Sequence, residues 1–113
     1  MARALITFPS TAMRHSVIEI RTLIQHPMET GYRRSSEGAM MARDLIRRFT
    51  CRFEENGKSD KSEHIFSATL YAAIAANPYL AFHTTATASG VFLFSWDGDN
   101  GFAQTERVTL TVR

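Results

Sequence analysis

The sequence predicts an all-β domain, an immunoglobulin-like antiparallel β-sandwich of about seven strands, on three observations. Short segments repeatedly alternate apolar and polar side chains, as strands with one buried face do. Gly, Pro, Asn and Asp residues interrupt these segments at short intervals, as turns between strands require. Hardly any stretch has the spacing of an amphipathic helix. Many short strands with little helix are typical of two packed sheets.

The size and composition fit a single domain over residues 1–113. The chain has a mass of 12.7 kDa and 44% hydrophobic residues, which is enough to bury one core. Its net charge is only +2, and most of its 13 basic residues are arginines, which pair well with carboxylates. This usage favours a protein interface over a nucleic-acid site, for which a denser basic stripe is typical.

The N-terminal residues give an expectation for the cellular compartment of the protein. Met1-Ala2-Arg3 leads directly into a strand-like segment without the apolar core of a signal peptide. No stretch is long and apolar enough to span a membrane. The single cysteine excludes an internal disulfide and is compatible with a reducing or an oxidising compartment. From these residues alone we expect a cytoplasmic, soluble protein.

The first third of the chain predicts two strands and a long loop. Arg3–Phe8 is short, β-branched and aromatic and ends at a proline, which predicts a strand at a sheet edge. Val17–Ile24 alternates along its whole length and predicts a second strand. Gln25–Met40 is the longest irregular segment, because Pro27 and Gly31 interrupt any regular element. Loops of this length are usually functional or mobile.

A third strand is predicted to begin near Ile46. Phe49, Cys51 and Phe53 share one apolar face of it. The opposite face carries charged and polar residues, namely Arg48, Thr50, Arg52 and Glu54. A charged outer face is either left in water or covered by a partner that supplies carboxylates.

The remaining residues predict four further strands with their connections. The strands are expected at His64–Tyr71, Tyr79–Thr87, Val91–Trp96 and Phe102–Val112. The connections are expected to be a polar hairpin at Asn56–Ser62, a helical turn at Ala72–Ala76 and a hairpin turn at Asp97–Gly101.

Cys51 is predicted to be a core residue. Its neighbours on the same face are Phe49 and Phe53, whereas Arg52, which could activate a thiol, points to the opposite face. Free cysteines are often buried. The alternative is a reactive or intermolecular thiol.

The sequence predicts no catalytic, cofactor or metal site. The histidines lack the short spacing that metal sites use, since none lies two, three or four residues from another: His15, His26, His64 and His83. The pair Asp97 and Asp99 is interpreted as part of a turn rather than as a calcium site.

The candidate interface lies in the long loop and on the third strand. The loop combines apolar, aromatic and charged side chains as interfaces do, and the strand adds arginines. The candidate residues are His26, Met28, Glu29, Tyr32, Arg33, Arg34, Arg48 and Arg52. Alternatively, Met28 and Tyr32 fold back to cap the core. The cluster of Arg47, Arg48 and Arg52 is likewise either a partner surface or a plain solvated face.

Several segments in a common order and spacing resemble one protein family. They are His26–Arg33, Phe49-Thr50-Cys51, Ala73–Phe82, and Trp96-Asp97 before Asp99–Gly101. Together they resemble SoxZ, a subunit of the bacterial sulfur-oxidation (Sox) system, nearly from end to end.

The resemblance implies a partner subunit rather than an enzyme. In this family SoxZ pairs with SoxY as a heterodimer, and the intermediates of thiosulfate oxidation are carried on a SoxY cysteine between glycines. This chain instead ends with the strand-like Val108–Arg113. The resemblance therefore implies transient contacts with other Sox enzymes, no nucleic-acid or membrane partner, and export to the periplasm with a signal-bearing SoxY.

Two alternatives remain open at this point. One is a small thiol- or metal-dependent enzyme that uses Cys51 with His26, His64 or His83 on a sandwich scaffold. The other is a module that associates with itself, for example as a homodimer.

Overall fold

A computed structural model describes residues 3–32, 34–56, 61–71, 74 and 76–113. These residues form eight strands in two sheets, which confirms the predicted all-β sandwich. The strands are β1 Ala4–Thr7, β2 Thr11–Ala12, β3 Val17–Ile24, β4 Ile46–Glu55, β5 Glu63–Thr69, β6 Tyr79–Thr85, β7 Gly90–Gly98 and β8 Ala103–Val112. None of the described residues belongs to a helix with the length and apolar character that a membrane crossing requires.

The two sheets have different sizes. The smaller sheet has the order β1-β3-β6, and the larger has the order β2-β8-β7-β4-β5. Neighbouring strands are antiparallel except for β2 and β8, which are parallel. The predicted strand at Val17–Ile24 and the edge position of the first strand are confirmed.

The sequence prediction missed β2 and misplaced some strand ends. With two residues, β2 is too short to produce an alternating pattern. The predicted strands at His64–Tyr71 and Tyr79–Thr87 each extend two residues too far at the C-terminal end. The predicted hairpin at residues 56–62 and the helical turn at residues 72–76 include residues 57–60, 72, 73 and 75, which lie outside the described residues.

Aromatic rings fill the space between the sheets. Phe49 on β4 lies 5.2 Å from the ring of Trp96 and 6.0 Å from that of Phe82, measured between ring centroids. Phe66 on the larger sheet stacks on Phe82 of the smaller sheet at 4.5 Å with an interplanar angle of 8°. Such ring pairs add stabilisation beyond the burial of their apolar surface. The core therefore fixes one sheet against the other.

The strand directions give the sandwich two distinct ends. At one end, β3 ends at Ile24, β4 begins at Ile46 and the turn from β7 to β8 follows Gly98. We call this the arm end. The connection from β5 to β6 lies at the same end, because Thr69 pairs with Arg48. The other end, which we call the far end, holds the connections from β1 to β3 and from β6 to β7.

The core predicts a large loss of stability for Phe49→Ala. Phe49 is fully buried and contacts four other rings, so its truncation leaves a cavity between the sheets. We expect the free energy of unfolding to fall by about 3–5 kcal/mol. Met13→Ala at the exposed far end is the control and should cost less than about 0.5 kcal/mol. Urea unfolding measures both values, and equal stabilities of the two variants would contradict this packing.

Candidate functional site

The long loop folds into a hairpin arm, defined as Glu29–Asp44. At its base, the Glu29 N–H donates to the Asp44 carbonyl at 2.8 Å and the Asp44 N–H donates back at 2.7 Å. Near the tip, the Ser35 N–H donates to the Ala39 carbonyl at 2.7 Å. Between residues 30 and 43, no described residue is buried. The hairpin arm therefore projects from the sandwich and is held together by its own backbone.

The segment leading into the hairpin arm is fixed inside the protein. The His26 N–H donates to Asn77 Oδ1 at 2.9 Å, and the Asn77 N–H donates to the His26 carbonyl at 2.7 Å. His26 Nδ1 accepts the Met28 N–H at 3.0 Å, and the Ile46 N–H donates to the Met28 sulfur at 3.3 Å. Met28 and Asn77 have left-handed backbone, with φ of 52° and 56°. Asn adopts this conformation more readily than most non-glycine residues, whereas Met rarely does, so the bonds of Met28 with His26 and Ile46 help to hold it.

Since Nδ1 of His26 accepts a hydrogen bond, a neutral imidazole carries its proton on Nε2. Nε2 faces Asp44 Oδ1 at 3.5 Å and has no hydrogen-bond partner among the described residues. The carboxylate thus lies beside the buried ring at the point where the hairpin arm returns to β4. His26 also packs edge-on against Phe102, with ring centroids 5.0 Å apart.

Asp99 ties the returning side of the hairpin arm to the turn between β7 and β8. Its carboxylate accepts Arg47 Nε at 2.8 Å, Arg43 Nε at 3.1 Å and the Leu45 N–H at 3.1 Å. The Asp99 N–H donates to the Leu45 carbonyl at 2.8 Å. A Cβ at Gly98 would overlap that carbonyl oxygen, so glycine allows the two segments to approach. We call these contacts the Asp99 clamp.

The hydrogen bond from Arg47 lowers the pKa of Asp99. Burial opposes this shift, while the bond from the Leu45 N–H and the charges of Arg43 and Arg47 add to it. The carboxylate is therefore ionised over the physiological pH range. Asp97 and Asp99 do not act as a pair, since Asp97 is exposed and Asp99 serves the clamp.

The structure divides the predicted interface residues into two groups. The assignment of these residues to a partner interface stays a prediction. His26, Met28 and Glu29 are buried, and Met28 packs into the core, as the alternative interpretation predicted. The physical reason is that the first turn of the loop folds back onto the sandwich. Four of the other predicted residues are exposed: Tyr32, Arg34, Arg48 and Arg52. Arg33 lies outside the described residues.

Exposed large hydrophobic side chains concentrate at the arm end. Six of the eight found among the described residues lie there, namely Leu5, Tyr32, Met40, Tyr71, Ile74 and Tyr79. All three tyrosines of the chain are in this set. The exposed fraction is 84% for Tyr32, 69% for Tyr71 and 56% for Tyr79. Exposed tyrosines are typical of protein interfaces.

Sequence reasoning missed Tyr71 and Tyr79. A signal for Tyr79 was present, because strand alternation places it opposite to Leu80 and Phe82 and hence on the outer face. On that face Leu23 pairs with Leu5 on one side and with Tyr79 on the other, which forms an apolar row across three strands. Nothing local identified Tyr71, which follows the end of β5.

Cys51 lies in the core as predicted. It has no exposed surface, and burial raises the pKa of its thiol to about 12. A thiol in this state is neither nucleophilic nor accessible. Elsewhere in the described part of the chain, no three His, Cys, Asp or Glu side chains gather in the way a metal ion requires.

Comparison with known proteins gives a family and a fold. A family model described as "Sulphur oxidation protein SoxZ" matches residues 6–109. None of the curated proteins matches the sequence.

Among solved structures, a superoxide reductase (neelaredoxin) from Ignicoccus hospitalis is similar, with a TM-score of 0.78 and 17% identity, over 97% of this chain and 80% of that one. A superoxide reductase from Nanoarchaeum equitans has a TM-score of 0.68 and 13% identity, over 95% and 90% of the two chains. The sulfur carrier protein SoxY from Chlorobium limicola f thiosulfatophilum has a TM-score of 0.66 and 8% identity, over 97% and 78%. At these identities the likeness establishes the shared fold.

The burial of Cys51 predicts slow labelling of the native protein. Because the thiol is buried and its pKa is raised, we expect DTNB to react at least about a hundredfold more slowly with native than with urea-unfolded protein at pH 8. The absorbance of released thionitrobenzoate measures both rates, with Cys51→Ala as the blank. Rapid labelling of the native protein would show that the thiol is accessible.

The Asp99 clamp predicts a pH-dependent contribution to stability. The pKa of Asp99 is lower in the folded protein than in the unfolded chain, so the clamp stabilises at pH values above about 4 and this contribution is lost as the pH falls through the folded pKa. Asp99→Asn should therefore lower Tm at pH 7, and its difference from wild type should shrink in acid. Circular dichroism melts from pH 7 to pH 2 measure this. The control is Asp97→Asn, and a Tm difference for Asp99→Asn that is independent of pH would contradict the clamp.

Proposed function

Because the chain belongs to the SoxZ family, we propose that it is the non-catalytic partner subunit of SoxY in the oxidation of thiosulfate and other reduced sulfur compounds. In this role SoxY carries the sulfur intermediates on its own cysteine. This chain binds SoxY in a heterodimer and presents it to the other enzymes of the system, which it contacts transiently.

The observation that carries this proposal is the position of the thiol. Cys51 is the only cysteine in the sequence, and it is enclosed between the sheets. A carrier thiol has to be exposed and ionisable so that it can enter the sites of several enzymes. Covalent sulfur chemistry therefore belongs to another chain, and a binding surface is what this chain contributes.

The arm end supplies that surface. Tyr32 and Met40 project on the hairpin arm, and Tyr71 and Tyr79 lie at the same end of the sandwich. Tyrosines bury large areas at little entropic cost and dominate many interfaces. A stable heterodimer would bury roughly 1,200–2,000 Å² of total surface. The clamp and the His26 bonds hold the hairpin arm in place before the partner binds, which lowers the cost of ordering it.

We also propose that the protein works in the periplasm. The support is the family, because the oxidation of thiosulfate by the Sox system is expected there. Export together with a signal-bearing SoxY would bring this chain to that compartment.

The proposed function is tested by coexpression with SoxY from the same organism. We expect the two chains to elute together at a fixed ratio on size exclusion, and to fractionate together with the periplasm. Tyr32→Ala should weaken the affinity for SoxY by about tenfold or more, because it removes an exposed aromatic anchor. Met13→Ala, at the far end, is the matched exposed control and should bind as wild type does. Separate elution of the wild-type chain and SoxY would refute the proposal.

A further inference from the structure

The four sheet edges differ in how they are protected from pairing with another strand. Unpaired edges are normally guarded by shortness, charge, proline or a bulge. β2 has two residues and β1 has four residues between Arg3 and Phe8-Pro9, whereas β6 has seven residues that include His83. β5 is guarded only in its first half, where a bulge shifts its register against β4. Its second half, Phe66–Thr69 continuing into Leu70, has no charge, proline or bulge.

The direction of the backbone groups on β5 follows from one hydrogen bond. The Leu70 N–H donates to the Arg47 carbonyl at 2.8 Å, and these residues stand directly opposite each other in the register. In an antiparallel pair, hydrogen-bonded positions alternate with non-hydrogen-bonded ones. The N–H and C=O groups of Ser67 and Thr69 therefore point away from β4. In the part of the chain that the structure describes, no strand pairs with that side.

The outer face beside this edge carries an exposed cation, Arg48. Arg48 is exposed and stands between Thr69 of β5 and Asp97 of β7 in the register, and no ion pair joins it to any described residue. A strand added next to β5 would lie about 4.8 Å beyond it. An Asp or Glu on the outer face of that strand would come within reach of the Arg48 guanidinium across the short Thr69 side chain. Tyr71 extends the same edge toward the arm end, so this edge is continuous with the tyrosine surface.

We propose that SoxY adds an extended strand to the Phe66–Leu70 edge of β5, with a carboxylate of that strand facing Arg48. The identity of this partner rests on the proposed function. The partner forms backbone hydrogen bonds with Ser67 and Thr69, and the five-stranded sheet continues into its own sheet. The solved SoxY structure shares the fold and therefore also has strands at the edges of its sheets.

Proline substitution at Ser67 tests the inference. The Ser67 N–H points outward, so Ser67→Pro keeps the bonds between β4 and β5 and removes a donor that the added strand needs. We expect Ser67→Pro to bind SoxY about tenfold more weakly than wild type, and Ser67→Ala, which keeps the N–H, to bind within about twofold. Arg48→Ala should also weaken binding, whereas Arg107→Ala, which lies on the same face but pairs with Glu54, should not. Melting curves check that each variant is folded.

Hydrogen exchange on the wild-type protein gives a second measurement that needs no variant. The amides of Ser67 and Thr69 should exchange rapidly in the free chain and become protected in the complex. Those of Phe66 and Ala68, which face β4, should be protected in both.

The contrary outcomes distinguish a failure of strand addition from a failure of SoxY binding. Equal affinities of Ser67→Pro and Ser67→Ala, or exchange at Ser67 and Thr69 that SoxY leaves unchanged, overturn strand addition while the proposed function stands. A dimer of the isolated chain that Ser67→Pro dissociates assigns the edge to a second copy and overturns SoxY as its occupant. Failure of the wild-type chain to bind SoxY overturns both proposals.

Discussion

The aromatic packing between the two sheets is the interaction on which the rest of the molecule depends. Phe49 lies at its centre, and the stacked pair Phe66 and Phe82 joins the larger sheet to the smaller one. Because interiors of this kind are close-packed, a side chain placed among them is inaccessible and cannot readily ionise. Cys51 is in that position, since its raised thiol pKa results from burial. The packing that stabilises the fold thus also keeps the one thiol of this chain away from solvent.

The same core supports the arm end of the sandwich. The connection from β3 in the smaller sheet to β4 in the larger sheet crosses the end of the sandwich, and the hairpin arm projects from this connection. Asp99 binds its returning side and Asn77 binds the segment that leads into it. Loops carried on a rigid scaffold are where proteins usually place their binding residues. The exposed tyrosines lie at this end, and clustered exposed apolar side chains commonly mark interaction sites.

The structural neighbours show that one sandwich serves more than one kind of protein. Solved structures described as superoxide reductases and one described as the sulfur carrier SoxY share the fold at identities of 8% to 17%. A fold does not determine a function, which depends on the groups that the fold carries. For this chain, membership of the SoxZ family and the enclosed thiol support the proposed function. The similar solved structures show only the fold of this chain.

The sequence by itself determined most of the strands and the faces of their side chains. The strand Val17–Ile24 and the burial of Cys51 were predictable because alternation along a strand is a local property. The tertiary structure alone decided which loop residues face solvent. His26 is held inside by Asn77, which is 51 positions away, and no local pattern encodes such a contact. The open side of β5 was likewise undetermined by sequence, because an edge exists only once the order of the strands in the sheet is set.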